Sequence, residues 1–236
     1  MCGRFAMNKE TDDLIQEYVA RGGDFNDWRP RYNIAPTDTV PVIREHEGER
    51  LVTGVRWGIV PPSSPTFGGG KPIINARIET VTSNRLFASA FAEHSCVVPA
   101  LGYYEWRALP DGKQPYFIHR EKGDIAMAGI IRPWRDPKGG ADAAWQLSMA
   151  IVTLDAHVAP GEVHDRMPAF VTRESMDDWL GGHLDPSERV ELLQLSSRDV
   201  ANELAYYPVS RAVNSVRNDG PQLVEPIDEI PEPSLF

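Results

Sequence analysis

SCVVPALGYYEWRALPDGKQPYFIHR, residues 95–120, decides the fold. SCVVPALGYYEW (95–106) and QPYFIHR (114–120) are rich in β-branched and aromatic residues and read as strands. Between them LPDGKQP carries Asp111-Gly112, a dipeptide suited to a tight hairpin turn. The same composition recurs in TVPVIRE (39–45), RLVTGVRWG (50–58), DIAMAGIIRPW (124–134) and WQLSMAIVTL (145–154). Helical spacing is confined to four stretches. Leu14, Ile15, Tyr18 and Val19 share a face of a helix predicted over 9–21 and stopped by Gly22-Gly23. Leu86, Phe87, Ala90 and Phe91 mark a second over 83–93, and Met176, Trp179 and Leu180 a third over 174–180. The fourth starts at Asp185-Pro186-Ser187-Glu188, with an N-cap, proline at the first helical position and an acid two residues later. PPSSPTFGGGKP (61–72) is a long loop. Many strands, few helices and no regular β–α alternation predict a single compact α+β domain, with a mainly antiparallel sheet or barrel-like core and peripheral helices. The domain is expected to span 1–222, followed by an acidic, proline-containing tail over 223–236.

Composition narrows the function. The chain has 236 residues, of which 42% are hydrophobic and 25% charged, ordinary for a packed domain. Its 24 lysines and arginines against 34 acids leave a net charge of −10. That balance argues against binding nucleic acid through the whole surface, which depends on neutralising phosphates, so a polyanion would need a local cluster of arginines. No run approaches the roughly 20 apolar residues of a membrane span. Polar residues from Asn8 to Asp13 occupy the place of a signal peptide's apolar segment, so a cytoplasmic location with both cysteines reduced is expected. Cys96 lies in an apolar run and reads as a small core residue. GGGKP lacks the Ser or Thr of a phosphate loop, because Pro72 stands there. Cysteines and histidines show no metal-ligand spacing, so neither metal nor cofactor is expected.

Cys2 has no such structural explanation. The chain opens MCGRF, and loss of Met1 would leave an amine and a thiol two carbons apart. An α-amino group titrates near 7.7–8.0 and a cysteine thiol near 8.5, so both have a reactive fraction at neutral pH. Such a pair captures aldehydes. The amine forms a Schiff base, and the sulfur then closes a five-membered thiazolidine, intramolecularly and therefore fast. The same opening also suits an amidohydrolase or cysteine peptidase attacking an amide through Cys2. A third reading is a noncovalent single-stranded DNA-binding module.

Further stretches bear on the choice. They are RYNIAPT (31–37), WG followed by Pro61, INARIET (74–80), YYEW (103–106), HDRMP (164–168) and PVSRAVNSVRNDG (208–220). Together with MCGRF, and in this order, they resemble the SOS response-associated peptidase (SRAP) family over almost the whole chain. The resemblance implies a mainly β domain that senses abasic sites in single-stranded DNA and crosslinks to them. It implies Cys2 as nucleophile after autocatalytic removal of Met1, and Glu105 as the carboxylate that moves protons, a role suited to a raised pKa. His164 is implied to hold the opened sugar and assist ring opening and reversal, and Asn75 to position the amine or sugar. Contacts to the strand are implied for Arg4, Asn33, Pro36, Arg77, Arg85, Thr153 and Arg166, with Arg211 beside them. Crosslinking, autoproteolysis and a lyase-like side reaction are the implied activities, acting as a monomer on abasic single-stranded DNA. One feature departs from the family pattern. No tryptophan follows the WG motif, and Phe67 is the residue placed to stack on bases in its stead.

Overall fold

A computed structural model describes residues 2–21, 25, 28–140 and 142–228. In chain order the elements are β1 (Phe5–Met7), α1 (Thr11–Glu17), β2 (Arg31–Ile34), β3 (Thr39–His46), β4 (Glu49–Trp57), β5 (Asn75–Arg77) and α2 (Ile78–Val81). There follow α3 (Ala88–Glu93), β6 (Ser95–Ala100), β7 (Gly102–Leu109), β8 (Gly112–Arg120), β9 (Ile125–Arg135) and β10 (Trp145–Asp155). The chain continues with α4 (Val158–Val163), β11 (Arg166–Pro168), α5 (Met176–Leu180), α6 (Pro186–Ala201) and β12 (Leu204–Pro208).

The stretch 95–106, expected as one strand, is two. β6 belongs to one sheet and β7 to the other, with the break at Leu101. Gly102 allows the switch, because a Cβ there would stand 2.5 Å from both the Ile118 carbonyl oxygen and the Phe117 ring. Two adjoining apolar strands leave no mark in a period-2 pattern, so composition alone fuses them. Beyond the break β7 and β8 form the expected hairpin, Leu109 opposite Gly112, whose φ of 130° lies where glycine is favoured.

One sheet runs β12-β8-β7-β1-β2 and is antiparallel throughout. In the other, β10, β4, β3, β6 and β9 pair in turn, and β9 returns to β10 to close a five-stranded barrel. β10 is its hub. On one edge it pairs β4 and then β5, both parallel; on the other it pairs β9 and then β11, both antiparallel. The 61–72 loop spans the gap between β4 and β5, so that Ile151 comes opposite Asn75. Trp57 anchors this return, its indole donating to the Ile74 carbonyl at 3.0 Å and its ring meeting Phe5 edge-on at 5.1 Å. Among the described residues one large apolar cluster runs from Cys2 and Phe5 through Cys96 to Leu204, so Cys96 is the core residue expected.

Helices are shorter than the periodicity predicts. α1 covers only Thr11–Glu17 of the expected 9–21, and the Gly22-Gly23 stop lies outside the described residues. The 83–93 helix is limited to Ala88–Glu93, and α5 begins at Met176. α6 has the expected capping box: Asp185 accepts from the Ser187 and Glu188 amides, and Glu188 reaches back to the Asp185 amide at 2.8 Å. Packing continues past the expected 222 boundary. Leu223 is buried, Val209 pairs with Pro226, and the Ile227 amide donates to Pro208. Residues 229–236 of the expected tail lie outside the described residues.

Candidate active site

Four side chains far apart in sequence meet where β1, β5, β7 and the turn before β11 converge. Cys2 stands three residues before β1 and is fully buried. Asn75, at the first position of β5, donates from Nδ2 to the Cys2 carbonyl at 3.0 Å. Its Oδ1 is enclosed without a hydrogen-bond partner among the described residues. Glu105 enters from β7 and is 3% exposed. Burial raises its pKa above the usual carboxyl range, while the nearby His164 pulls the other way. The Cys2 thiol is pushed well up by burial and by Glu105, and the Arg4 backbone N–H, donating to the sulfur, opposes them. Thiol and carboxyl are therefore both held toward their protonated forms.

His164 follows α4, and its Nδ1 lies 3.0 Å from the Arg166 amide and 2.8 Å from an Asp165 carboxylate oxygen. The amide has only a proton to offer, so Nδ1 is assigned as acceptor and the ring proton to Nε2. That assignment leaves the exposed Asp165 a neighbour rather than a hydrogen-bonded partner of the ring. The Arg166 amide and the Asp165 carboxylate thus favour opposite tautomers of this ring, and the amide is the contact with hydrogen-bond geometry.

The candidate DNA contacts separate into two groups. Arg77 and Arg85 are exposed, and among the described residues no carboxylate stands within ion-pair distance of either. Pro36 is half-buried beside Thr37, whose φ is 83°. The others are engaged within the protein. Arg166 is gripped by both oxygens of Glu79 at 2.7 and 3.1 Å, by Asp155 at 2.5 Å and by the Thr153 carbonyl at 2.8 Å. Thr153 itself is fully buried. Arg4 donates to Asn33 Oδ1 at 2.6 Å and to the Val213 carbonyl at 2.8 Å, and lies 6.0 Å from the centre of the Trp106 ring. Asn33 is buried and turns its amide to the carbonyls of Val213, Ser215 and Asn218, tying β2 to that loop. Arg211 pairs with Asp111 at 2.8 Å. Phe67 packs on Trp134 at 5.6 Å below the Arg56 guanidinium, and lines a cavity of about 610 Å³ that none of the four central residues borders.

Sequence reasoning did not find the two carboxylates on Arg166, of which Glu79 stands in the INARIET motif and Asp155 ends β10. Nor did it single out Tyr103, two residues before Glu105 on β7, whose hydroxyl is buried. Among the described residues no group of three or more histidines, cysteines or acids is placed to hold a metal ion, and no helix is long and apolar enough to cross a membrane.

Fold and site together define a class: a β-barrel domain with a cysteine at the second position set against a buried carboxyl, an amide and a histidine. The SOS response associated peptidase (SRAP) family model matches residues 1–216, and the chain belongs to that family. It is 33% identical to the abasic site processing protein YedK of Escherichia coli over 96% of this chain and all of that one. Identity to YoqW of Bacillus subtilis, also an abasic site processing protein, is 31% over 95% and 99% of the two chains. A crystal structure from Bacteroides thetaiotaomicron superposes with a TM-score of 0.81 at 23% identity, covering 96% of this chain and 100% of that one.

Proposed function

We propose that this protein processes abasic sites in single-stranded DNA by covalent capture, forming a thiazolidine between the exposed sugar aldehyde and Cys2 once Met1 is gone. The observation that carries the reading is the convergence of Cys2, Asn75, Glu105 and His164, drawn from positions 2, 75, 105 and 164, in a family whose similar members are named for abasic sites.

Each side chain then has a task. The freed amine attacks C1′ of the ring-opened sugar, and Glu105, whose pKa burial raises, gives its proton to the departing hydroxyl so that water leaves and an iminium remains. The sulfur adds to the same carbon and closes the ring. Asn75 fixes the Cys2 backbone, and its open Oδ1 is a ready acceptor for the amine or a sugar hydroxyl. His164, with its proton on Nε2, donates to the opened sugar and assists reversal. Arg166 acts on the site through its backbone amide, holding the His164 tautomer, while Glu79 and Asp155 occupy its guanidinium. Phosphate contacts fall to Arg77 and Arg85, the two exposed candidates without a carboxylate among the described residues. Removal of Met1 by the protein itself, and slow strand cleavage through the Schiff base, belong to the same proposal.

The test is to incubate protein whose Met1 loss is verified by intact mass with a single-stranded oligonucleotide bearing one abasic site. A heat-stable shifted band is expected from wild type and none from Cys2→Ala. An equal band from Cys2→Ala, or from protein that retains Met1, defeats the reading.

A further inference from the structure

Tyr103 precedes Glu105 by two residues on β7, and strand side chains alternate, so the two share a face. Across the ladder its partner is Phe5, which brings the start of the chain alongside. The side chain is fully buried, with its ring 6.3 Å from that of Phe170. Its hydroxyl is enclosed and, among the described residues, makes no hydrogen bond. The adjacent Tyr104 points to the opposite face and satisfies its hydroxyl on the Tyr32 carbonyl at 2.6 Å. A phenylalanine would fill the space of Tyr103 without burying an unpaired polar atom, so the hydroxyl carries a cost that packing does not return. Burial, and after it the charges of Cys2 and Glu105, hold its proton in place. It is therefore a neutral donor at any working pH, on the face of β7 that carries Glu105.

We propose that Tyr103 is a positioning residue for ring closure, its hydroxyl donating a hydrogen bond to the Cys2 sulfur as that sulfur becomes anionic. This rests on the covalent-capture reading above. By the time the iminium has formed, Glu105 has released its proton to the leaving water and is a carboxylate. The thiol passes its proton to that carboxylate, the sulfur pair forms the S–C1′ bond, and the C=N π pair returns to nitrogen. A neutral thiazolidine and a reprotonated Glu105 result, with no further reactant. The difficult moment is the buried thiolate, which the Arg4 backbone N–H supports from one direction. Tyr103 supplies a second donor where solvent has been excluded.

Tyr103→Phe removes one oxygen and keeps the ring. Met1-processed protein is followed on the abasic oligonucleotide by two readouts: borohydride trapping of the Schiff base, and appearance of the heat-stable adduct. Trapping is expected within about twofold of wild type. The adduct should form at least about tenfold more slowly, the effect of a hydrogen bond to a charged atom, with its rate–pH profile displaced upward and no fall in Tm. A wild-type rate and pH profile for the adduct overturns the assignment, as does an equal loss of both readouts with a lowered Tm. Absence of adduct from wild-type protein overturns instead the capture chemistry itself, and is read before the variant is compared.

Discussion

Glu105 shows how burial tunes a carboxyl at the expense of stability. Its carboxyl is raised because ionisation inside the protein forfeits hydration that His164 replaces only in part. The sign for stability follows. The folded state holds this proton more tightly than the unfolded chain, whose value is about 4.3, so the contribution to stability falls as pH rises from there through the folded pKa. Glu105→Gln is therefore expected to raise Tm at neutral pH and to lose that advantage below about pH 4, as thermal melts across pH would register. The same variant should slow adduct formation by about 10²-fold or more, the usual contribution of a positioned acid; an unchanged rate removes Glu105 from the mechanism. At this scale the sequence offered candidate residues and missed their constraints. The Asn33 of RYNIAPT stood out as a DNA contact, yet it is closed off among three carbonyls that no local pattern foretells.

Among the elements, α6 was legible in detail because its signals are local. Asp185, Pro186 and Glu188 act within one turn, and Asp185→Ala should cost about 1 kcal/mol in chemical denaturation. The same helix carries a feature invisible from sequence. Arg189 is fully buried between Trp179 and Phe91, 4.6 Å and 5.8 Å from the ring centres, and donates to the Trp179 carbonyl at 2.9 Å. Among the described residues its Nε and Nη1 have no hydrogen-bond partner, and burial pushes its pKa down to about 10. The aromatic faces offset part of the desolvation. Arg189→Met keeps the volume and discards the charge, so its stability should equal or exceed wild type, whereas Arg189→Ala should lose about 3 kcal/mol to the cavity. A Met variant that unfolds several kcal/mol more easily would show that the guanidinium holds α6 to α5.

Over the whole molecule, a net charge of −10 has to coexist with the polyanionic substrate proposed above. Exposed arginines without carboxylates reconcile the two, since phosphate binding depends on local cations. Arg77→Ala is expected to slow capture at low salt and to reduce the slope of log rate against log salt by about 0.7, the value for one phosphate on a single strand. Arg211→Ala, which breaks an ion pair with Asp111, should leave that slope in place. Strand content, the β7–β8 hairpin and the α+β class were readable from the chain because each rests on alternation, turn chemistry or composition within a few residues. So was the reactive potential of Cys2, a matter of covalent structure. What only the tertiary structure decided is which groups surround that cysteine, which arginines remain open to a phosphate, and that residues 95–106 cross from barrel to sheet at Leu101. Those outcomes depend on contacts between segments tens to hundreds of residues apart, where burial and pairing are set by the closed barrel rather than by neighbours in sequence.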